Sequence, residues 1–132
     1  MIDCMIVGDS IAVGTHQSRP DCVAIARGGW NSRQWNRDYG NKTPLKAKTV
    51  IISLGTNDHA GINTEAELLM LRNATQADRV FWILPAIKPH IQDIVKKIAG
   101  EYGDTVLPIV RLQPDKIHPS WAGYKQLAKD TQ

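Results

Sequence analysis

The sequence predicts an α/β fold in which a parallel β-sheet carries helices on both faces. Short apolar runs alternate along the chain with amphipathic segments of helical periodicity, which is typical of doubly wound sheets. Reactive side chains follow the apolar runs, as expected when the carboxyl ends of parallel strands meet at one edge. The length of 132 residues fits one domain, spanning residues 1–132.

Five apolar runs are the predicted strands. The third run is rich in β-branched residues, as a strand buried on both faces should be. Pro108 places the last run at a sheet edge, because proline cannot donate a hydrogen bond to a neighbouring strand. The five runs are residues 2–7, 22–26, 48–55, 79–85 and 105–110.

Helical patterns lie between these runs. Thr64 and Glu67 have the spacing of a capping box, which predicts that a helix begins there. Apolar residues at 91, 94, 95 and 98 predict a second helix, ending near Gly100. A short helix is expected within residues 30–37. The last helix is predicted from one apolar stripe, formed by Trp121, Tyr124, Leu127 and Ala128.

Composition excludes several classes of protein. Hydrophobic residues make up 42% of the chain and charged residues 22%, which favours a packed core over disorder. No apolar run reaches the length of a membrane span, so membrane insertion is not expected. No signal peptide is visible at the N-terminus, which leaves the compartment open. The sequence leaves the oligomeric state open as well.

The two cysteines give no sign of a disulfide framework or a metal site. Cys4 and Cys22 both fall in predicted strands, so they are expected to be small buried hydrophobic residues. Cysteines and histidines do not cluster at the spacing of metal ligands. The sequence therefore predicts neither a metal nor a cofactor.

The net charge of +3 arises from one local stretch of the chain. Asp38 is the only acidic residue in this stretch. A solvated basic face is one explanation, and a surface for an anionic partner such as an acidic glycan is the other. No nucleic-acid-binding module is visible, so nucleic acid is not expected as a partner. The basic residues are Arg27, Arg33, Arg37, Lys42, Lys46 and Lys48.

A serine, an asparagine and an Asp/His pair follow three of the predicted strands. Ser10 could act as a nucleophile if His118 removed its proton and Asp115, one helical turn earlier, oriented the histidine. Asn57 could stabilise an oxyanion without adding a competing base. Taken singly, Ser10 could instead cap a helix and Asn57 a turn. Asp9 is interpreted as a turn-holding residue.

Phosphate binding is the competing hypothesis for the segment around Ser10. A Walker loop has four residues between its glycines, followed by lysine and serine or threonine. Here five residues separate Gly8 from Gly14, and Thr15 follows without a lysine. Nucleotide binding is therefore the weaker alternative.

As a set, these motifs resemble the SGNH hydrolases, also called GDSL-type esterases. The resemblance covers nearly the whole chain and rests on "GDS" at 8–10, "RGGWNS" at 27–32, "GTND" at 55–58 and "DKIH" at 115–118. It implies a flavodoxin-like three-layer α/β/α sandwich with a five-stranded parallel sheet. It also implies hydrolysis of esters or thioesters without a metal or cofactor.

Carried over by position, the resemblance assigns a role to each site residue. Ser10 would be the nucleophile, His118 the general base and acid, and Asp115 the residue that orients it. The oxyanion hole would consist of the Ser10 N–H, the Gly29 N–H and the Asn57 side chain. Gly29 is preferred to Gly28 because the residues that follow it fit the register of the family better.

The substrate is predicted less directly. The chain is short for the family, which favours a small acyl group such as acetyl. Trp30, Arg27 and Arg33 are candidate contacts for an acidic, O-acetylated carbohydrate, and packing of the tryptophan in the core is the alternative. Thioesterase or lysophospholipase activity, and a non-catalytic binding module that keeps the pocket, are the other functions considered.

Overall fold

Six parallel strands form the sheet of this protein, whose computed structural model describes residues 2–40, 42 and 44–132. Five of them lie in the order β2-β1-β3-β5-β6, and the short β4 pairs with the start of β3. This order reverses direction at β1 and β3, which places a crevice at their carboxyl ends. The strands are β1 (Ile2–Gly8), β2 (Val23–Ala26), β3 (Leu45–Ser53), β4 (Thr75–Gln76), β5 (Arg79–Ile83) and β6 (Thr105–Leu107).

Helices cover both faces of the sheet and make the three-layer α/β/α sandwich. One apolar core lies between the sheet and helices α2, α3 and α4, and the other lies between the sheet and helices α1 and α5. Neighbouring residues of β1 point into opposite cores, since Met5 and Val7 face the first and Cys4 and Ile6 the second. The helices are α1 (Ser10–Ser18), α2 (Ser32–Trp35), α3 (Thr64–Asn73), α4 (Pro89–Tyr102) and α5 (Trp121–Asp130).

The predicted architecture is confirmed, with differences at the ends of elements. The third strand begins three residues earlier than predicted, at Leu45, and it starts with alternating buried and exposed residues. Such alternation is typical of a strand with one solvated face. Strand β4 has only two residues, too few to produce a pattern in the sequence. The short helix after β2 continues as a π-helical turn over Asn36–Gly40.

The helix ends also differ from the predictions. Asn63, and not Thr64, caps α3, because its side chain accepts from the Ala66 N–H while the Thr64 hydroxyl donates to Asp58. Helix α4 passes through Gly100 and ends at Gly103, whose φ of 71° gives the left-handed cap. Trp121 is not part of the buried stripe of α5, since it is 72% exposed.

Cys4 and Cys22 are buried as predicted, but the expectation that they are merely small hydrophobic residues is wrong. The two residues form a disulfide, with their Cα atoms 4.6 Å apart. In the parallel pairing of β1 and β2, Met5 lies opposite Val23, so the preceding residues are neighbours as well. The register of β1 against β2 brings these cysteines together. That register cannot be read from the sequence, so the pairing of the two cysteines could not be predicted.

Within the part of the chain that the structure describes, no helix is long and apolar enough to cross a membrane. Among the same residues, histidine, cysteine, aspartate and glutamate side chains form no group of three or more that could hold a metal ion.

Candidate active site

Ser10, His118 and Asp115 form a continuous chain of polar contacts at the carboxyl edge of the sheet. The Ser10 Oγ lies 2.9 Å from His118 Nε2, and His118 Nδ1 lies 2.7 Å from Asp115 Oδ2. In the tautomer that satisfies both contacts, Nδ1–H donates to the carboxylate and Nε2 accepts from the serine hydroxyl. This arrangement can move a proton from Ser10 to His118.

Asp9 leaves the Ser10 hydroxyl free for this contact. The Asp9 side chain caps α1 by accepting from the Ile11 N–H, at 3.0 Å, and it also accepts from the Ser53 hydroxyl. Ser10 is the first residue of the helix, and its side chain does not cap the helix N-terminus. The helix-cap interpretation of the sequence therefore applies to Asp9.

Asp115 and His118 are brought together by a loop, not by one turn of a helix as the spacing predicts. The Asp115 Oδ1 accepts from the N–H groups of Ile117 and His118, and Lys116 has a left-handed φ of 60°. The loop is closed at its base, where the Gln113 N–H donates to the His118 carbonyl. A closed loop holds the histidine ring in one orientation relative to the carboxylate.

The loop also sets the charge of Asp115. The N–H of Ile117, together with the side chain and N–H of His118, lowers the pKa of the Asp115 carboxyl to about 2. The carboxylate is therefore ionised at neutral pH and acts only as an acceptor. The side chains of His118 and Asp115 are 34% and 42% exposed, so this part of the site is open to solvent.

A glycine turn lies next to Ser10. The Trp30 N–H donates to the Arg27 carbonyl at 3.4 Å, and Gly29 has a φ of 82° that favours glycine. A side chain added to Gly28 would place its Cβ 3.9 Å from the Ser10 Cβ. The turn thus brings backbone close to Ser10, where an N–H group could reach a negatively charged oxygen.

Asn57 is the fourth polar group of the site. Its Nδ2 donates to the Trp30 carbonyl at 2.9 Å, which fixes the amide and leaves its second N–H for a ligand. Asn57 lies in a turn that begins at Gly55, with a φ of 115°, and the Asp58 N–H closes this turn on the Gly55 carbonyl.

Two residues to which the sequence analysis assigned no role hold the Asn57 turn. The Asp58 carboxylate is buried and accepts from the Ser32 N–H, the Ser32 hydroxyl and the Thr64 hydroxyl, which ties the turn to α2 and α3. The Lys88 ammonium donates to the carbonyls of Thr56 and Asp58, at 2.8 and 2.7 Å. No signal in the sequence connects Lys88 to this turn, which lies 30 residues earlier.

Of the three predicted substrate contacts, Trp30 is buried, whereas Arg27 and Arg33 are exposed. Trp30 is only 7% exposed and packs against Tyr39, with ring centroids 5.0 Å apart, so it offers no open ring face for stacking on a sugar. Arg33 donates to the Gly61 carbonyl. Arg27 remains beside the glycine turn, in a depression of about 280 Å³ that Gln34 and Arg37 also line.

The fold is shared with several solved structures. They include an acylhydrolase from Bacteroides fragilis, at 20% identity and a TM-score of 0.66, where the match covers 97% of this chain and 83% of that one. A GDSL-like lipase from Bacteroides thetaiotaomicron matches at 17% identity and a TM-score of 0.64, with 99% and 89% covered.

The C-terminal catalytic domain of the peptidoglycan O-acetyltransferase A of Streptococcus pneumoniae, which carries a methylsulfonyl adduct, matches at 18% identity. Its TM-score is 0.60, and the match covers 98% of this chain and 96% of that domain. By sequence, no protein-family profile and no curated protein matches this chain. The similarities establish the fold across the full length of the chain.

Proposed function

We propose that this protein is a serine esterase of the SGNH (GDSL-type) hydrolase family and that it removes small acyl groups, with acetyl as the favoured group. The observation that carries the proposal is the Ser10–His118–Asp115 chain, with contacts of 2.9 and 2.7 Å. The shared fold supports it, because the matched structures include an acylhydrolase and an O-acetyltransferase. A binding module would not require a histidine oriented by a carboxylate.

The proposed reaction proceeds through an acyl-enzyme. His118 Nε2 takes the Ser10 proton as Oγ forms a bond to the acyl carbon, and the carbonyl electrons move onto its oxygen. The resulting oxyanion accepts from the N–H groups of Ser10 and Gly29 and from Asn57. The C–O bond to the alcohol then breaks, and His118 protonates the departing oxygen. Water, activated by the same histidine, releases the acid and restores Ser10.

A small acyl group is favoured because the proposed site is open. The side chains of His118 and Asp115 are partly exposed to solvent. An extended fatty acyl chain gains its binding energy from buried apolar surface. We therefore expect faster turnover of p-nitrophenyl acetate than of the palmitate ester.

Replacement of Ser10 tests the proposal. Ser10→Ala should lower kcat on p-nitrophenyl acetate by at least about a thousandfold, because the attacking oxygen is removed. Circular dichroism should show an intact fold. Thr105→Ala, which removes an exposed hydroxyl at the start of β6, is the control and should keep full activity. Hydrolysis by Ser10→Ala at the rate of the control would refute the proposal.

A covalent probe checks the same serine independently. A fluorophosphonate should label the wild-type protein at Ser10, which peptide mass spectrometry would locate.

Asn57→Ala should lower kcat by about a hundredfold and leave KM nearly unchanged, because the oxyanion exists chiefly in the transition state.

A further inference from the structure

A groove lies between α1 and α5 on the described surface. It has a volume of about 500 Å³, which is within the range of small-ligand sites. Glycine, glutamine, serine and lysine residues make up much of its lining, and one tryptophan lies at its edge. The residues that matter here are Gly14, Gln17, Trp121, Tyr124, Lys125 and Lys129.

One end of the groove adjoins the proposed active site. Gly14 follows Ser10 by one turn of α1, so the two residues lie on the same face of the helix. Trp121 begins α5, three residues after His118. The Tyr124 ring packs on Gly14, and its pKa is raised by burial and by the nearby carboxylates Asp9 and Asp115. A chain lying in the groove would thus reach Ser10.

Trp121 has a ring that is open to a ligand. It is 72% exposed, the largest exposed fraction among the large hydrophobic residues described. The Lys125 ammonium lies 4.2 Å from the ring centroid and covers part of it through a cation–π contact. The flat apolar surface that remains can pack against the C–H groups of a sugar ring.

The charge of the groove favours an anionic ligand. Lys125 and Lys129 both line it, and no acidic side chain is among its lining residues. Asp130, the next residue along α5, accepts from the Gln126 side chain. Neither lysine forms an ion pair within the described part of the chain, so both can meet the carboxylates of a ligand.

We propose that the groove between α1 and α5 binds the sugar chain of an anionic glycan whose ester group reaches Ser10. The proposal rests on the proposed esterase function and names its substrate class. Trp121 packs on a sugar ring, and Lys125 and Lys129 pair with carboxylates along the chain. Trp121 replaces Trp30 as the proposed aromatic contact, because Trp30 is buried. A fatty acyl chain fits poorly, since the lining contains charged and amide side chains.

Binding by an inactive variant tests the groove separately from catalysis. Ser10→Ala protein would be titrated by calorimetry with polygalacturonate oligomers, which are anionic, and with dextran oligomers, which are neutral. We expect binding of the anionic oligomers only. Adding Trp121→Ala should weaken it about tenfold, as should the pair Lys125→Gln and Lys129→Gln.

Matched controls in the same background remove comparable groups elsewhere. Tyr102→Ala deletes another exposed aromatic residue, and Lys96→Gln neutralises an exposed lysine of α4. Both should bind like the Ser10→Ala parent. The inference would be overturned if dextran or single-stranded DNA bound as tightly as polygalacturonate, or if polygalacturonate did not bind. It would also be overturned if Trp121→Ala weakened binding no more than Tyr102→Ala does.

The two proposals fail in different ways. Failure of the proposed esterase mechanism would appear as undiminished ester hydrolysis by Ser10→Ala. Failure of the groove would appear in the binding experiment, which requires no turnover. A protein that cleaves p-nitrophenyl acetate through Ser10 but ignores the glycan would keep the first proposal and refute the second.

Discussion

Asp9 is the residue whose environment differs most from what its place in the motif suggests. Its side chain is fully buried, and one oxygen, Oδ2, has no hydrogen-bond partner in the described structure. Burial raises the pKa of Asp9 from 3.8 to about 6, against the opposing effect of hydrogen bonds from Ser53 and Ile11. Ionisation of Asp9 therefore lowers the stability of the folded protein.

This cost predicts a pH dependence of stability. The unfolded carboxyl loses its proton near pH 3.8 and the folded one near pH 6, so ionisation of Asp9 destabilises the fold as the pH rises between them. Asp9→Asn removes this titration. Its unfolding free energy relative to wild type should rise by about 2 kcal/mol between pH 4 and pH 7. Urea unfolding at several pH values measures this, and a difference that does not change with pH would contradict the raised pKa of Asp9.

Lys88 supports the turn that carries Asn57, because its ammonium donates to the carbonyls on either side of that residue. Lys88 and Lys116 are the two non-glycine residues with positive φ in the described chain, and both lie in loops that hold site residues. Such a conformation costs about 1–2 kcal/mol, which the two hydrogen bonds of the Lys88 ammonium help to offset. Strain of this kind often marks a functional site.

Loss of the ammonium should therefore reduce catalysis more than binding. Lys88→Met should lower kcat on p-nitrophenyl acetate about tenfold with little change in KM, because Asn57 would lose its fixed position. Lys88→Arg should recover part of the rate, and Lys96→Met in α4, the helix that follows Lys88, should be neutral. In the Asn57→Ala background, Lys88→Met should have almost no further effect on kcat. Additive losses would show that Lys88 does not act through Asn57.

At the scale of elements, the packing of α1 on α5 depends on a missing side chain. A Cβ on Gly14 would lie 2.3 Å from the Tyr124 ring, so the two helices approach too closely for any larger residue. Gly14→Ala should lower the unfolding free energy by about 1–3 kcal/mol, because the tyrosine must move. Gly100 is a matched control, since a Cβ there meets no atom within 4 Å.

The control should change stability in the opposite direction. Gly100 lies inside α4, where alanine is favoured over glycine by about 1 kcal/mol, so Gly100→Ala should stabilise the protein. Thermal unfolding of the two variants measures both effects. A destabilised Gly100→Ala, or a stable Gly14→Ala, would contradict the packing seen between the helices.

At the scale of the whole molecule, the disulfide constrains the unfolded chain. It links residues 18 positions apart, which corresponds to about 3 kcal/mol in the chain-entropy treatment. Reduction, or replacement of Cys4 and Cys22 by alanine, should lower Tm, whereas ester hydrolysis by the folded protein should persist because the bridge lies away from the strand ends that carry the site. An unchanged Tm after reduction, with free thiols counted, would contradict the bridge. Disulfides persist in oxidising compartments, which favours such a compartment for this protein.

The chain itself determined the alternation of strands and helices, and with it the edge at which polar residues collect. Burial patterns repeat locally, and the carboxyl ends of parallel strands must share an edge, so Ser10, Asn57, Asp115 and His118 could be placed together in advance. The edge position of the last strand was predicted from Pro108 and is confirmed, although β6 ends at Leu107, one residue before the proline.

Contacts between distant segments were decided only by the tertiary structure. The disulfide depends on the register of β1 against β2, and the support of the Asn57 turn depends on Lys88. The N-terminal cap of α1 depends on whether Asp9 or Ser10 accepts from the helix N–H. Exposure was decided there too, since Trp30 became buried and Trp121 open. A sequence records which side chains are present, whereas burial and pairing depend on how the layers pack, which couples residues that no local pattern connects.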